Sequence, residues 1–148
     1  KMSWAVITGA GSGIGRALAL RMWRRGTSVA LVGRRKETLE ATEEMLLKDE
    51  GHGHEVPGHR RPAIKLILSD ISLPEGREKI VGSMEECGKN LRFLVHNAAV
   101  IEPLAPALDL ELDTWRSNLA TNLEAPLFLT KSLRPLFIDP SSSSSSSP

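Results

Sequence analysis

Tyrosine is missing altogether from this sequence, and the other aromatic residues are scarce: three tryptophans and three phenylalanines among 148 residues. A chain without tyrosine has no phenol of its own to exchange a proton with a substrate. Cysteine occurs once, at Cys87, which excludes a disulfide within one chain. A reducing, cytoplasmic compartment is the simplest reading of that single thiol. No apolar run approaches the length of a membrane span. Lys1-Met2-Ser3-Trp4 leads directly into an apolar run, so no signal or transit peptide is expected within these residues. Because the sequence opens on lysine, a short stretch in front of it is expected. An excess of charge is lacking too, with a net +1. That balance speaks against nucleic acid or an anionic membrane as a partner.

What is present has the size and apolar content of one domain. Trp4 to Thr8 is a short continuous apolar run that ends in glycines and reads as a buried strand. From Gly13 the period becomes helical, with Ile14, Ala17, Leu18 and Met22 as the expected stripe and Gly26 as the stop. Ser28 to Val32 reads as a second strand. A charged helix follows from about Lys36 to Asp49, with Leu39, Met45 and Leu46 expected to be buried. Residues 51–62 are rich in Gly and Pro and read as an exposed loop. His52, His54 and His59 in that loop are expected to be solvated rather than metal-bound. A third strand is expected over Ala63–Leu68, a third helix over Pro74–Cys87 and a fourth strand over Leu91–His96. A long helical pattern then runs from Leu112 to Phe137, with a kink expected at Pro126. Trp23 and Trp115 are expected to pack, and Cys87 to be unreactive.

Strands alternating with helices imply an α/β fold with a parallel sheet and right-handed crossovers. Unalternating apolar strands agree, because parallel strands are covered on both faces. From Ile138 the sequence turns into Asp-Pro, seven serines and Pro148, a tract expected to be disordered.

Between the first strand and the first helix lies Thr8-Gly9-Ala10-Gly11-Ser12-Gly13-Ile14-Gly15. Glycines there let the backbone approach a pyrophosphate, with the positive end of the helix facing it. The spacing is T-G-x-x-x-G-x-G rather than G-x-G-x-x-G. A tight turn that binds nothing would use the same glycines, so position decides in favour of binding. Asp70-Ile71-Ser72 follows the third strand, and Ser72 also suits a helix cap. Asn97-Ala98-Ala99 follows the fourth strand, and Thr121-Asn122-Leu123-Glu124-Ala125-Pro126 lies on the long helix.

These four motifs, in this order, resemble the short-chain dehydrogenase/reductase family. The resemblance implies a Rossmann-like, doubly wound parallel sheet, here truncated after the fourth strand and a long helix. Residues 1–137 would be a partial dinucleotide-binding domain and 138–148 a disordered tail. The implied cofactor-binding residues are Thr8, Gly9, Ser12, Gly13, Ile14, Gly15, Asp70, Ile71, Asn97, Ala98 and Ala99. Ala99 stands where the family usually has glycine. NAD-binding relatives end the second strand with an acid for the ribose 2′-OH, but this chain has Gly33 followed by Arg34 and Arg35. Glycine leaves room for a 2′-phosphate and arginine can pair with it, so the expected cofactor is NADP. Two solvated arginines at a helix start are the plainer account of the same residues. Ser12 would add a hydrogen bond to that phosphate.

The resemblance further implies hydride transfer between nicotinamide and a small carbonyl or alcohol. It uses a tyrosine for the proton, a lysine four residues later, a serine and an asparagine. Asn122 matches the asparagine. The others would lie further along than this chain extends, and Lys131, nine residues past Asn122, faces nearly the opposite side of the helix. Three readings stay open: an oxidoreductase whose catalytic half is not in this chain, a non-catalytic NADP-binding or dimer-modulating protein, or a poorly folding fragment. Helix 112–137 is the expected surface for a homo- or hetero-oligomer.

Overall fold

A computed structural model of the protein describes residues 3–49, 62–88, 90–101 and 103–138. Four strands, β1 (Trp4–Thr8), β2 (Ser28–Gly33), β3 (Ile64–Leu68) and β4 (Leu91–Val95), form one sheet in the order β3-β2-β1-β4. Every pairing is parallel, with Trp4 opposite both Ser28 and Leu91. The helices are α1 (Gly13–Arg24), α2 (Lys36–Lys48), α3 (Pro74–Glu85), α4 (Leu112–Leu119) and α5 (Ala125–Leu133).

Alternation along the strands divides the apolar residues between two cores. Ala5, Ile7, Val29 and Leu31 pack with Ala19 and Trp23 of α1 and Leu39 and Leu46 of α2. Val6, Ala30, Val32 and Ile67 pack on the other face with Ile80 and Met84 of α3 and Leu129 and Leu133 of α5. The sheet is therefore doubly wound. β1 and β2 are buried almost throughout, which accounts for their unbroken apolar runs.

Several sequence expectations need correction. The buried stripe of α1 is Gly15, Ala19 and Trp23, whereas Ile14 is 73% exposed. A glycine opens this face because α1 starts against the backbone of the glycine loop. In α2, Thr42 takes the buried position between Leu39 and Leu46, and Met45 is exposed. Ser72 does not cap α3, whose N-cap is Leu73. Trp115 is half exposed rather than packed.

The long helix is interrupted earlier than expected. A π-helical turn spans Ala120–Glu124, with the Ala125 N–H bonded to the Ala120 carbonyl. Pro126 has no N–H and its ring crowds the carbonyl four residues back, so the irregularity falls one turn ahead of the proline. The helical path ends in a short 3₁₀ turn at Arg134–Leu136. Phe137 then pairs in parallel with Leu91, and the Ile138 N–H bonds the Leu91 carbonyl at 2.8 Å. The expected loop, apart from Pro62, its three histidines and the serine tail beyond Ile138 lie outside the described residues.

Candidate functional site

The chain steps outward from β1 to β2 and β3, then crosses back to β4 on the other side of β1. Such a reversal opens a crevice at the carboxyl ends of the strands, where α/β proteins bind ligands. A cleft of about 510 Å³ lies there. Each strand contributes the residues that follow it: Gly9 and Gly11 to Ile14 after β1, Arg34 and Arg35 after β2, Ser69 to Ile71 after β3, and Asn97 to Val100 after β4.

The glycine loop forms the floor. Gly9 has φ +67°, a left-handed conformation that L side chains rarely adopt. α1 begins at Gly13, and its first N–H groups have no acceptor within the helix. Ser12 precedes the helix, yet its hydroxyl makes no cap hydrogen bond. It is exposed in the cleft, and no acid occupies the first turn. The helix start therefore presents donors and a positive dipole end to the cleft without an anion of its own.

Thr8 and Gly15, both expected to bind cofactor, lie behind the wall rather than on it. The Thr8 side chain is fully buried. Its hydroxyl donates to the Val95 carbonyl at 3.2 Å and accepts the N–H groups of Asn97 at 3.0 Å and Ala98 at 3.1 Å. This one oxygen ties the end of β4 to the end of β1. The Asn97 amide adds bonds to the carbonyls of Thr8 at 3.0 Å and Gly9 at 3.2 Å. Gly15 leaves room for that amide, since a Cβ there would lie 2.6 Å from Asn97 Nδ2 and 2.3 Å from the Gly9 oxygen.

On the opposite rim Gly33 carries no side chain, and Arg34 and Arg35 flank it. Arg35 pairs with no carboxylate among the described residues. Arg34 Nη1 lies 3.8 Å from Asp70 Oδ2, while Asp70 Oδ1 accepts the N–H and hydroxyl of Ser72 at 3.0 and 2.7 Å. Two cations against one carboxylate leave this end positive. Ile71 is buried beneath it, and Ala98 and Ala99 line the far wall.

Asn122 is brought near the cleft but does not line it. Its Oδ1 accepts the Val100 N–H at 2.9 Å and its Nδ2 donates to the Val100 carbonyl at 2.7 Å. Both ends of the amide are thus spent on holding the segment after β4 against the π turn. Lys131 lines none of the cleft. Cys87 is half-buried, with its thiol 3.5 Å from the Ser83 carbonyl, and desolvation raises its pKa. That is the setting of an unreactive thiol.

Sequence reasoning missed a layer of support behind the loop. Thr42 Oγ1 accepts Arg16 Nε at 2.9 Å and lies 3.0 Å from the carbonyls of Ala10 and Thr38. Arg16 Nη2 also donates to the Gly11 carbonyl. A threonine at the midpoint of a charged helix, in line with Leu39 and Leu46, was the available signal. Gly11, Thr38, Val100 and Thr121 also line the cleft. Among the described residues no group of His, Cys, Asp or Glu could hold a metal, and no helix is long and apolar enough to cross a membrane.

Known proteins share this architecture. An uncharacterized oxidoreductase of Staphylococcus aureus (strain MRSA252) is 26% identical over 138 residues, which are 93% of this chain and 54% of that protein. Sulfoacetaldehyde reductase 2 of Chromohalobacter salexigens is 28% identical over 134 residues, 90% of this chain and 48% of the relative. A metagenomic short-chain oxidoreductase, solved in complex with NADP, superposes with a TM-score of 0.78 at 26% identity, over 90% of this chain and 56% of the other. The chain thus spans about half the length of the relatives it matches. The family profile for short chain dehydrogenase matches residues 3–145. With that match over nearly its whole length, the chain belongs to the short-chain dehydrogenase family.

Proposed function

We propose that the chain binds NADP in this cleft, as the cofactor-binding part of an oxidoreductase acting on a small carbonyl or alcohol. The observation that carries the reading is the rim at the end of β2, where Gly33 offers no carboxylate and Arg34 and Arg35 line the cleft beside it. An acid there would repel a 2′-phosphate, whereas arginine pairs with one. The pyrophosphate would rest on the N–H groups at the start of α1, with Ser12 as a further donor. Asp70 and Ile71 would border the adenine, and Asn97, Ala98 and Ala99 the nicotinamide end. When bound, the nicotinamide supplies or accepts a hydride.

The residues of this chain bind and orient, and the proton chemistry lies elsewhere. No tyrosine is present among the 148 residues. The Asn122 amide accepts one bond from Val100 and donates one to it. Its backbone carbonyl, to which Pro126 cannot donate, is a further acceptor for a proton relay. The purified 148-residue chain is accordingly inactive alone. We take residues 1–137 as the cofactor-binding unit and 138–148 as a tail with no part in binding.

Titration calorimetry with NADP⁺ and NAD⁺ tests the reading. NADP⁺ binding at least tenfold tighter is expected, with the preference shrinking as salt is raised. Equal affinities overturn the choice of cofactor. NADPH-dependent carbonyl reduction above blank by the pure chain overturns the predicted inactivity.

A second reading, association through the long helix, is favoured by one observation. Leu112, Trp115, Leu123 and Leu127 are each at least half exposed and recur at helical spacing. Sedimentation of the pure chain as a monomer at tens of micromolar would remove self-association through this face.

A further inference from the structure

Arg34 and Asp70 follow the ends of neighbouring strands, β2 and β3, and meet at the cleft with Nη1 and Oδ2 3.8 Å apart. Their positions make this more than a surface pair. With a pyrophosphate on the α1 terminus and a ribose over Gly33, the attached base must extend toward the end of the next strand. The pair stands at that end of the cleft. The two halves are not equally movable. Asp70 is tied by its other oxygen to the Ser72 N–H and hydroxyl and is one-third exposed, whereas the Arg34 side chain is 66% exposed on a long stem.

We propose that the Arg34–Asp70 pair is a latch across the adenine gap, opened when an adenine nucleotide enters, and that Arg34 then exchanges the carboxylate for the ligand's 2′-phosphate. Arg34 is on this account a specificity residue in two senses. It attracts a ligand that brings a 2′-phosphate, and it obstructs one that does not, because the released guanidinium then finds no new anion. The latch belongs to the free protein, so the cost of opening it is common to every nucleotide. Removing Asp70 should therefore raise affinity for both ligands, and more for 2′,5′-ADP, whose 2′-phosphate also loses a neighbouring anion. Removing Arg34 should move the two ligands in opposite directions. The inference rests on the NADP reading above, but its signature is read with a ligand that lacks the 2′-phosphate.

The experiment is titration calorimetry of the full chain with 5′-ADP and with 2′,5′-ADP at about 0.15 M salt, where unpaired charges more than about 8 Å apart are largely screened. Wild type, Asp70→Asn, Arg34→Ala and the double variant are compared, with circular dichroism confirming the fold. Asparagine keeps an acceptor for Ser72. Opening an exposed pair of this kind corresponds to about a 1.5- to 5-fold change in affinity. Arg34→Ala should bind 5′-ADP more tightly by that factor and 2′,5′-ADP at least tenfold more weakly. Asp70→Asn should tighten 5′-ADP by that factor, and this gain should vanish in the Arg34→Ala background. Arg34→Gln, which keeps much of the aliphatic stem, should behave as the alanine variant does. The latch is overturned if Arg34→Ala leaves 5′-ADP binding unchanged or weaker, or if Asp70→Asn tightens binding equally without Arg34. A wild type that binds 5′-ADP and 2′,5′-ADP equally overturns the NADP reading instead, while the 5′-ADP comparison still decides the latch. Binding of neither nucleotide overturns both.

Discussion

Replacing Thr8 by valine keeps the shape of the side chain and removes one oxygen. That oxygen holds three backbone groups: the Val95 carbonyl and the N–H groups of Asn97 and Ala98. Each such bond contributes about 0.5–1.5 kcal/mol net, and a buried group left without a partner costs about 1–3 kcal/mol. The Thr8 side chain is completely buried, but Asn97 and Ala98 also line the cleft, from which water can partly replace the lost acceptor. The loss should then come to about 3 kcal/mol rather than the larger sum. For a chain of this length that corresponds to a fall in Tm of about 10 °C, at about 2–4 °C per kcal/mol. Urea unfolding followed by tryptophan fluorescence measures it, with Thr8→Ser as the control. Serine restores the hydroxyl and gives up one methyl group, a loss of about 0.8 kcal/mol. If the valine variant is as stable as the serine variant, Thr8 does not join β1 to β4 in the way described.

Gly15→Ala should destabilise by about 1–3 kcal/mol through overpacking. It should also weaken binding of 2′,5′-ADP, because the new methyl displaces Asn97 or the Gly9 carbonyl. Asn122→Ala removes both bonds to Val100, and amide hydrogen exchange at Val100 should accelerate while exchange in β1 stays as slow as before. His96 stands at the end of β4 with Nε2 2.8 Å from the Thr130 hydroxyl, which itself donates to the Pro126 carbonyl at 2.7 Å. Although the residue as a whole is exposed, partial desolvation of the ring lowers its pKa below 6.5. The unfolded chain then binds the proton more readily. The His96 contribution to stability is therefore complete above about pH 6.5 and is lost as pH falls through the folded value. His96→Gln, which keeps a donor for Thr130, should flatten the decline in Tm between pH 7 and 5. An unchanged decline would assign it to other groups.

The strands were legible from their composition, since a short apolar run bounded by glycine is hard to place anywhere but inside a parallel sheet. β1 matches its expected bounds, and β2 extends one residue further, to Gly33. The motifs of the glycine loop and of residues 70–72 and 97–99 likewise met in one cleft, because each follows a strand and the strand ends converge. What composition hides is packing by small or polar residues. Gly15 lies on the buried face of α1 because any side chain there would collide with the Gly9 carbonyl and Asn97, while the apolar Ile14 is exposed. Thr42 is buried for its hydrogen bonds rather than for apolar area. Thr8 was assigned to the cofactor from its place in a motif, whereas its hydroxyl serves the sheet. No sequence periodicity distinguishes a hydroxyl that faces a ligand from one that faces a carbonyl.

The π turn has a further consequence. An i→i+5 bond encloses one residue more than the α-helical bond, and one residue corresponds to about 100° of rotation about the axis. The turn therefore acts as a phase adjuster in what is otherwise a continuous rod. Downstream, Ala125, Leu129 and Leu133 are aimed into the core; upstream, Leu112 and Trp115 look outward. Deleting a single residue between Ala120 and Glu124 would remove the adjustment. Either the outward row or the inward row would then have to swing off its surface, and a rod that now serves two surfaces could serve only one.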